Sequence, residues 1–275
     1  GGYNPRATES HQEGVRFPPV KLIRAGAMQQ DILDILNANS RVPQSNWGDL
    51  NGQLNALDLG EKRLIGLLDE HGDAVVEAGF AALADRAAAL MEAELRTLPE
   101  GRYAFEDYLD NDGVTDARLT IGLDMELRDG RMLLDFSRSS PACLGPINIS
   151  HATTVAACYV ALKHAFPDVP ANAGVLRPID FVIPDTSLLG VGPPRPVAGY
   201  TETILRLDSG GAGQHRGGVG AIYEIEALSP GTTEVALLGE RGRYAPFGVT
   251  GGGEGALNRF ACQSAEGWQT PPMAS

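Results

Sequence analysis

Two long runs of helical spacing, separated by one break, constrain this chain most. From Asn46 the apolar residues Leu50, Leu54, Leu57, Leu64, Ile65, Leu67 and Leu68 recur at helical intervals, and His71-Gly72 interrupts them. Asp73 is placed to cap the run that follows. That second run is alanine-rich and carries Val75, Val76, Phe80, Leu83, Leu90, Met91 and Leu95 before Pro99-Glu-Gly101 closes it. A shorter helix is expected from Gln29 to Asn37, ended by Arg41-Val-Pro43. Residues 29–98 therefore read as a helical arm, a shape that usually packs against a partner or a neighbouring domain.

After Gly101 the texture changes. Arg102–Leu109, Arg118–Leu127 and Arg131–Phe136 alternate apolar and polar residues, and Asp129-Gly130 is a hairpin signal. This predicts a three-stranded antiparallel meander. A helix is expected over His151–Phe166 with Ser150 as its N-cap, then a short strand over Pro178–Ile183. Glycine excess sits mostly after Gly190, so the C-terminal part should be loop- or β-rich, with strands at Val219–Leu228 and Thr233–Leu238. The fold class is α+β: a long helical hairpin arm, antiparallel strands and a glycine-rich β region. Four parts are expected: an extended segment 1–28, the arm 29–98, an α+β core 99–205, and a glycine-rich β segment and tail 206–275.

The formal net charge is −13. That argues against a nucleic-acid or anionic-membrane partner, either of which would want a basic face. The three cysteines are widely spaced, with no CxxC, so neither a disulfide framework nor a structural zinc site is expected. With no bilayer-length apolar run and no signal peptide, the expected location is cytoplasmic. A chain that opens on Gly1 is expected to be a processed product or a piece of a longer protein.

The densest candidate for chemistry is Asp208-Ser-Gly-Gly-Ala-Gly-Gln-His-Arg-Gly-Gly218. It lacks GxxxxGK[ST] and precedes a strand, so it is neither a P-loop nor a dinucleotide fingerprint. Its N–H groups suit an anion nest and suit a multi-turn connection equally well. Asp110-Asn-Asp-Gly113 reads as a hairpin turn, because it lacks the glutamate of a calcium loop. Glu9, His11 and Glu13 would share one side of an extended chain, yet three such residues without a second cluster read as a solvated segment. Cys143 and Cys158 read as small buried hydrophobes ahead of nucleophiles, and no GxSxG elbow is present.

Taken in order, several segments resemble the hydantoinase B/5-oxoprolinase family, with the related large subunits of acetone and acetophenone carboxylases and of caprolactamase. They are Asn4-Pro-Arg-Ala-Thr8 with Gln12–Leu22; Asn46-Trp-Gly-Asp49; Phe105–Gly113; Asp135-Phe136 with Ser139-Ser-Pro141 and Gly145-Pro-Ile-Asn148; Asn172-Ala-Gly174 with Arg177-Pro-Ile179; and Asp208–Gly213 with Arg216-Gly-Gly218. The resemblance implies an ATP-dependent reaction on a cyclic amide. ATP would be bound by a hydantoinase A-type partner subunit, and a divalent metal would complete the site. A ketone carboxylase subunit and a non-catalytic scaffold subunit are the alternatives. The family's metal-binding histidines and aspartates precede the segment matching Gly1–Pro5, so no metal ligand is assigned and the chain reads as N-terminally truncated. It also reads as internally shortened at Leu205–Arg206, where relatives carry a further glycine-rich region. Substrate-facing residues are expected to be Glu13, Arg16, Asn148, Ser209, Gly210, Gly211 and Gly213, with Asn148 donating to a substrate carbonyl. The chain alone is expected to be inactive.

Overall fold

Helix α1 (Gln30–Ala38) buries one side chain, Leu33. This computed structural model describes residues 4–199, 242–245, 253–264 and 267–270. Helix α2 (Pro43–His71) starts on a proline, whose missing N–H is harmless in a first turn. Gly72, at φ 80°, turns the chain into α3 (Asp73–Thr97). Here the expected cap is corrected: Gly72 occupies the N-cap position with no side-chain cap, and Asp73 lies in the first turn. Its carboxylate still complements the positive end of the helix.

Among the described residues the arm is anchored through the C-terminal half of α3. No side chain of α2 is buried. On α3 only Ala87, Met91 and Leu95 are buried, spaced by four so that they form one stripe against the sheet. Burial of this kind contributes about 1.5–3 kcal/mol per large apolar side chain. Polar contacts reinforce the junction: Asn172 donates to the Leu83 carbonyl at 3.2 Å, and Arg177 pairs with Asp85.

The expected meander is present. Strands β1 (Ile23–Arg24) and β2 (Ala27–Met28) form a small separate hairpin. Strands β3 (Gly101–Leu109), β4 (Leu119–Arg128) and β5 (Arg131–Asp135) are antiparallel, in register from Gly101↔Leu127 to Leu109↔Leu119 and from Asp124↔Asp135 to Arg128↔Arg131. Asp129 and Gly130 both take positive φ, 53° and 75°, as a tight primed turn requires. After β5, Ser139 and Ser140 tie the chain back to β4. The Ser139 hydroxyl bonds both backbone groups of Gly122 at 3.1 Å, and the Ser140 hydroxyl accepts from the Thr120 N–H at 2.8 Å.

Helix α4 (His151–Ala165) has the expected cap, with Ser150 Oγ accepting from the Thr153 N–H. Its far end is held by Lys163, which donates to the carbonyls of Phe166, Pro167 and Val169. The chain then reaches β6 (Ile179–Val182), which joins β5 in parallel, giving the sheet order β3-β4-β5-β6. The core lies between this sheet and its helices, through Leu127, Met132, Leu134 and Ile179 with Met91, Leu95 and Leu162. A last hairpin pairs β7 (Cys262–Ser264) with β8 (Gly267–Gln269). The glycine loop 208–218 and the expected strands at 219–228 and 233–238 lie outside the described residues.

Candidate functional site

Three of the segments that carry the family resemblance, around Pro5, Asp112 and Gly145, meet at the β3–β4 connection. Asp112 is its hub, at 2% exposure. Its carboxylate accepts from the N–H groups of Val114 (2.9 Å) and Thr115 (2.5 Å) within its own loop. It also accepts from Leu144 (3.1 Å) and Gly145 (3.0 Å), which lie beyond β5. Burial pushes the Asp112 carboxyl up, but bonds from Thr115, Gly145 and Val114 outweigh it and hold the pKa below the ordinary carboxylate value. Gly145 has to be glycine, because a Cβ there would overlap the Asp112 carbonyl. The Asp-Asn-Asp-Gly run is thus a clamp between two loops, with Asn111 Oδ1 accepting from the Gly113 N–H at 2.9 Å to shape it.

Asn148 forms the second clamp and is fully buried. Its Nδ2 donates to the carbonyls of Cys143 (3.1 Å), Gly145 (2.9 Å) and Pro196 (3.1 Å). Its Oδ1 accepts from the Cys143 N–H at 2.9 Å, and the Cys143 thiol approaches to 3.2 Å. An amide has only two N–H hydrogens, so in this arrangement none is left for a substrate carbonyl. Asn148 holds the 143–148 loop against the 196–199 segment, where the Gly199 N–H donates to its carbonyl.

The N-terminal segment docks on the same place. The Ser10 N–H donates to the Pro194 carbonyl at 2.8 Å. Both carboxylate oxygens of Glu13 accept from the Val197 N–H, at 2.9 and 3.0 Å. Arg16 is exposed and reaches Ser10 Oγ at 3.4 Å. Residues Ser10–Gln12 form a 3-10 turn, so Glu9, His11 and Glu13 do not share one side of an extended strand. His11 lies 4.0 Å from Glu9, while Glu13 turns inward to Val197. Ser209, Gly210, Gly211 and Gly213 lie outside the described residues.

A distant piece of chain closes the other side. The buried Asp110 accepts from the N–H groups of Gly242 (2.7 Å) and Arg243 (3.2 Å). Arg243 pairs with Asp116 at 2.6 Å. The Arg118 guanidinium lies 4.4 Å from the Tyr108 ring centre and 5.7 Å from that of Tyr244. The sequence reading took Asp110 and Asp112 as parts of a hairpin turn and did not single out Arg118 or Arg243. The only local signal was a turn holding three side-chain acceptors in a row.

Two of the three thiols are held in the protonated form by their surroundings. Burial, helped by the Asp112 charge, pushes Cys143 up to about 12, and burial pushes Cys158 up to about 11. Iodoacetamide at neutral pH should therefore modify the exposed Cys262 and spare Cys143 and Cys158 until the protein is denatured. Mass-spectrometric mapping checks this, and labelling of native Cys143 as fast as Cys262 would contradict it. Among the described residues no three His, Cys, Asp or Glu side chains are grouped to hold a metal ion. No metal ligand is therefore assigned among the described residues. A separate shallow groove of about 450 Å³ lies on the sheet, lined by Arg102, Asp124, Glu126 and Asp135 among others. Its charges are spent on neighbours, Arg102 on Glu126 at 3.1 Å and Asp124 on Arg138 at 2.7 Å. None of the clamp residues borders it. Among the described residues no helix is long and apolar enough to cross a membrane.

The model of the hydantoinase B/oxoprolinase family matches residues 1–207 and 202–274, two stretches that overlap beside Leu205–Arg206. The caprolactamase subunit beta of Pseudomonas jessenii is 34% identical over 74% of this chain and 35% of its own length. An uncharacterized protein of Methanocaldococcus jannaschii is 28% identical over 93% of this chain and 45% of its own. The crystal structure of the ATP-dependent caprolactamase from Pseudomonas jessenii superposes with a TM-score of 0.66 at 32% identity, over 73% of this chain and 35% of that one. The chain thus spans less than half the length of these relatives.

Proposed function

The chain belongs to the hydantoinase B/oxoprolinase family, and on that footing we propose that it serves as the B-type part of a two-component, ATP-dependent enzyme that opens a cyclic amide. The observation that carries the reading is its likeness, in sequence and fold together, to an ATP-dependent caprolactamase. An unstrained lactam is a poor electrophile. Phosphorylating its oxygen makes the ring carbon attackable by water, and ATP bound on an A-type partner would supply that phosphoryl group.

This chain's share is to shape and line the substrate side. Asp112 and Asn148 fix the 143–148 and 196–199 backbone, and Glu13 and Arg16 border it. The Ser209, Gly210, Gly211 and Gly213 backbone would present N–H groups to the polarised carbonyl oxygen. Reconstitution tests the reading. ATP-dependent lactam opening is expected when the chain is combined with an A-type subunit, and a complex that forms but never turns over would favour the scaffold alternative.

A further inference from the structure

The arm carries an apolar seam that the described residues cover only in part. Leu50, Leu54, Leu57, Leu64 and Leu68 follow the alternating three- and four-residue spacing of a helix-pairing stripe, interrupted only at Glu61. Such a seam is normally dry. Here Leu50, Leu54 and Leu68 are half-buried, but Leu57 is 69% exposed and Leu64 42%, and Phe80 and Leu83 across the Gly72 corner are 56% and 58% exposed. Helix α2 spans about 43 Å and buries no side chain. A helix that long, with Leu57 and Leu64 exposed in the middle of its stripe, has the form of an interface helix.

Charge decides what fits. Residues 57–77 hold six carboxylates, Asp58, Glu61, Asp69, Glu70, Asp73 and Glu77, against two cations, Lys62 and Arg63. Lys62 is already engaged by Asp58 at 2.6 Å. A second copy of this arm would set Glu61 and its acidic surroundings against an equally acidic surface, and like charges at an interface select against that pairing. A surface with an apolar helical stripe bordered by lysine and arginine would match both the seam and its rim.

We propose that the free half of the arm is a docking surface for a partner protein of that chemistry, and that this partner is the A-type subunit. The second part of the inference rests on the function proposed above. Docking would order the exposed leucines in a dry seam while the anchored stripe, Ala87, Met91 and Leu95, keeps its place on the sheet.

The test places a single probe in the seam. Leu57→Cys is prepared and treated with maleimide, alone and with the A-type subunit, and labelling at each position is mapped by mass spectrometry. Position 57 should label freely in the isolated chain. It should label about tenfold more slowly in the complex, since a packed interface excludes solvent and reagent. Four results would overturn the inference: a complex in which position 57 stays reactive; protection in an isolated monomer, meaning that the chain covers its own seam; protection in an isolated dimer, meaning a second copy; or no complex at all. The first three leave the proposed function standing, whereas the last removes it as well. Leu57→Glu, with unchanged circular dichroism, should abolish complex formation, and retention of the complex by that variant would equally overturn the inference.

Discussion

Asn148→Asp should destabilise the protein by on the order of 5 kcal/mol at neutral pH, the cost of an unpaired charge in a buried polar clamp. The carboxylate would face the carbonyl oxygens of Cys143, Gly145 and Pro196 with nothing to donate. The sign of the pH dependence follows. Burial among acceptors raises the folded-state pKa of the new carboxyl above its unfolded value of about 3.9. The penalty is therefore smallest below that value, grows as pH rises to the folded pKa, and then levels off. Asn148→Ala leaves the same groups unsatisfied but adds no charge, so its loss should be smaller, about 3 kcal/mol, and far less dependent on pH. Urea unfolding of both variants from pH 3 to 8 checks this. Equal, pH-independent losses would contradict the clamp.

Asp112→Ala is the second large effect, about 4 kcal/mol, because it strips four backbone N–H groups of their acceptor at once. The wild-type carboxyl has a lowered folded pKa. Its contribution is thus fully present above the unfolded value of about 3.9 and is lost as pH falls through the folded value. The gap between the variant and the wild type should accordingly be full and flat above about pH 4 and narrow as pH falls below it. A difference that stays constant across that window would show that the hydrogen bonds are not what Asp112 contributes.

These two residues show where sequence reading stops. The helices were legible because periodicity and caps are local: Ser150 caps α4 as expected, and His71-Gly72 divides α2 from α3. The meander was legible because alternation and Asp129-Gly130 are local too. The parallel partner of β6 was not, since pairing Met132 with Ile179 reaches across the whole of α4. The clamps were invisible for the same reason. An aspartate in a turn looks alike whether it serves its own loop or bonds residue 145, and nothing near Asp110 announces residues 242 and 243. Resemblance marked Asn148 and Glu13 without giving the contacts that now define them, bonds to the loop carbonyls and to the Val197 N–H.

The arm teaches a related lesson. Its helices were readable and a partner was expected for them, but which of its leucines are exposed emerges only when burial is assigned residue by residue. The same leucines that predict the helix then argue that it is incomplete by itself.

The central claim is that this chain is one half of an ATP-dependent amide-opening machine. The direct measurement is ring opening with matched ADP release, followed for a hydantoin, 5-oxoproline and caprolactam. Three samples are compared: the chain alone, the A-type subunit alone, and the two combined. The account requires lactam-dependent ADP release and ring-opened product in the combined sample only. ATP-dependent turnover by the purified chain alone would contradict it.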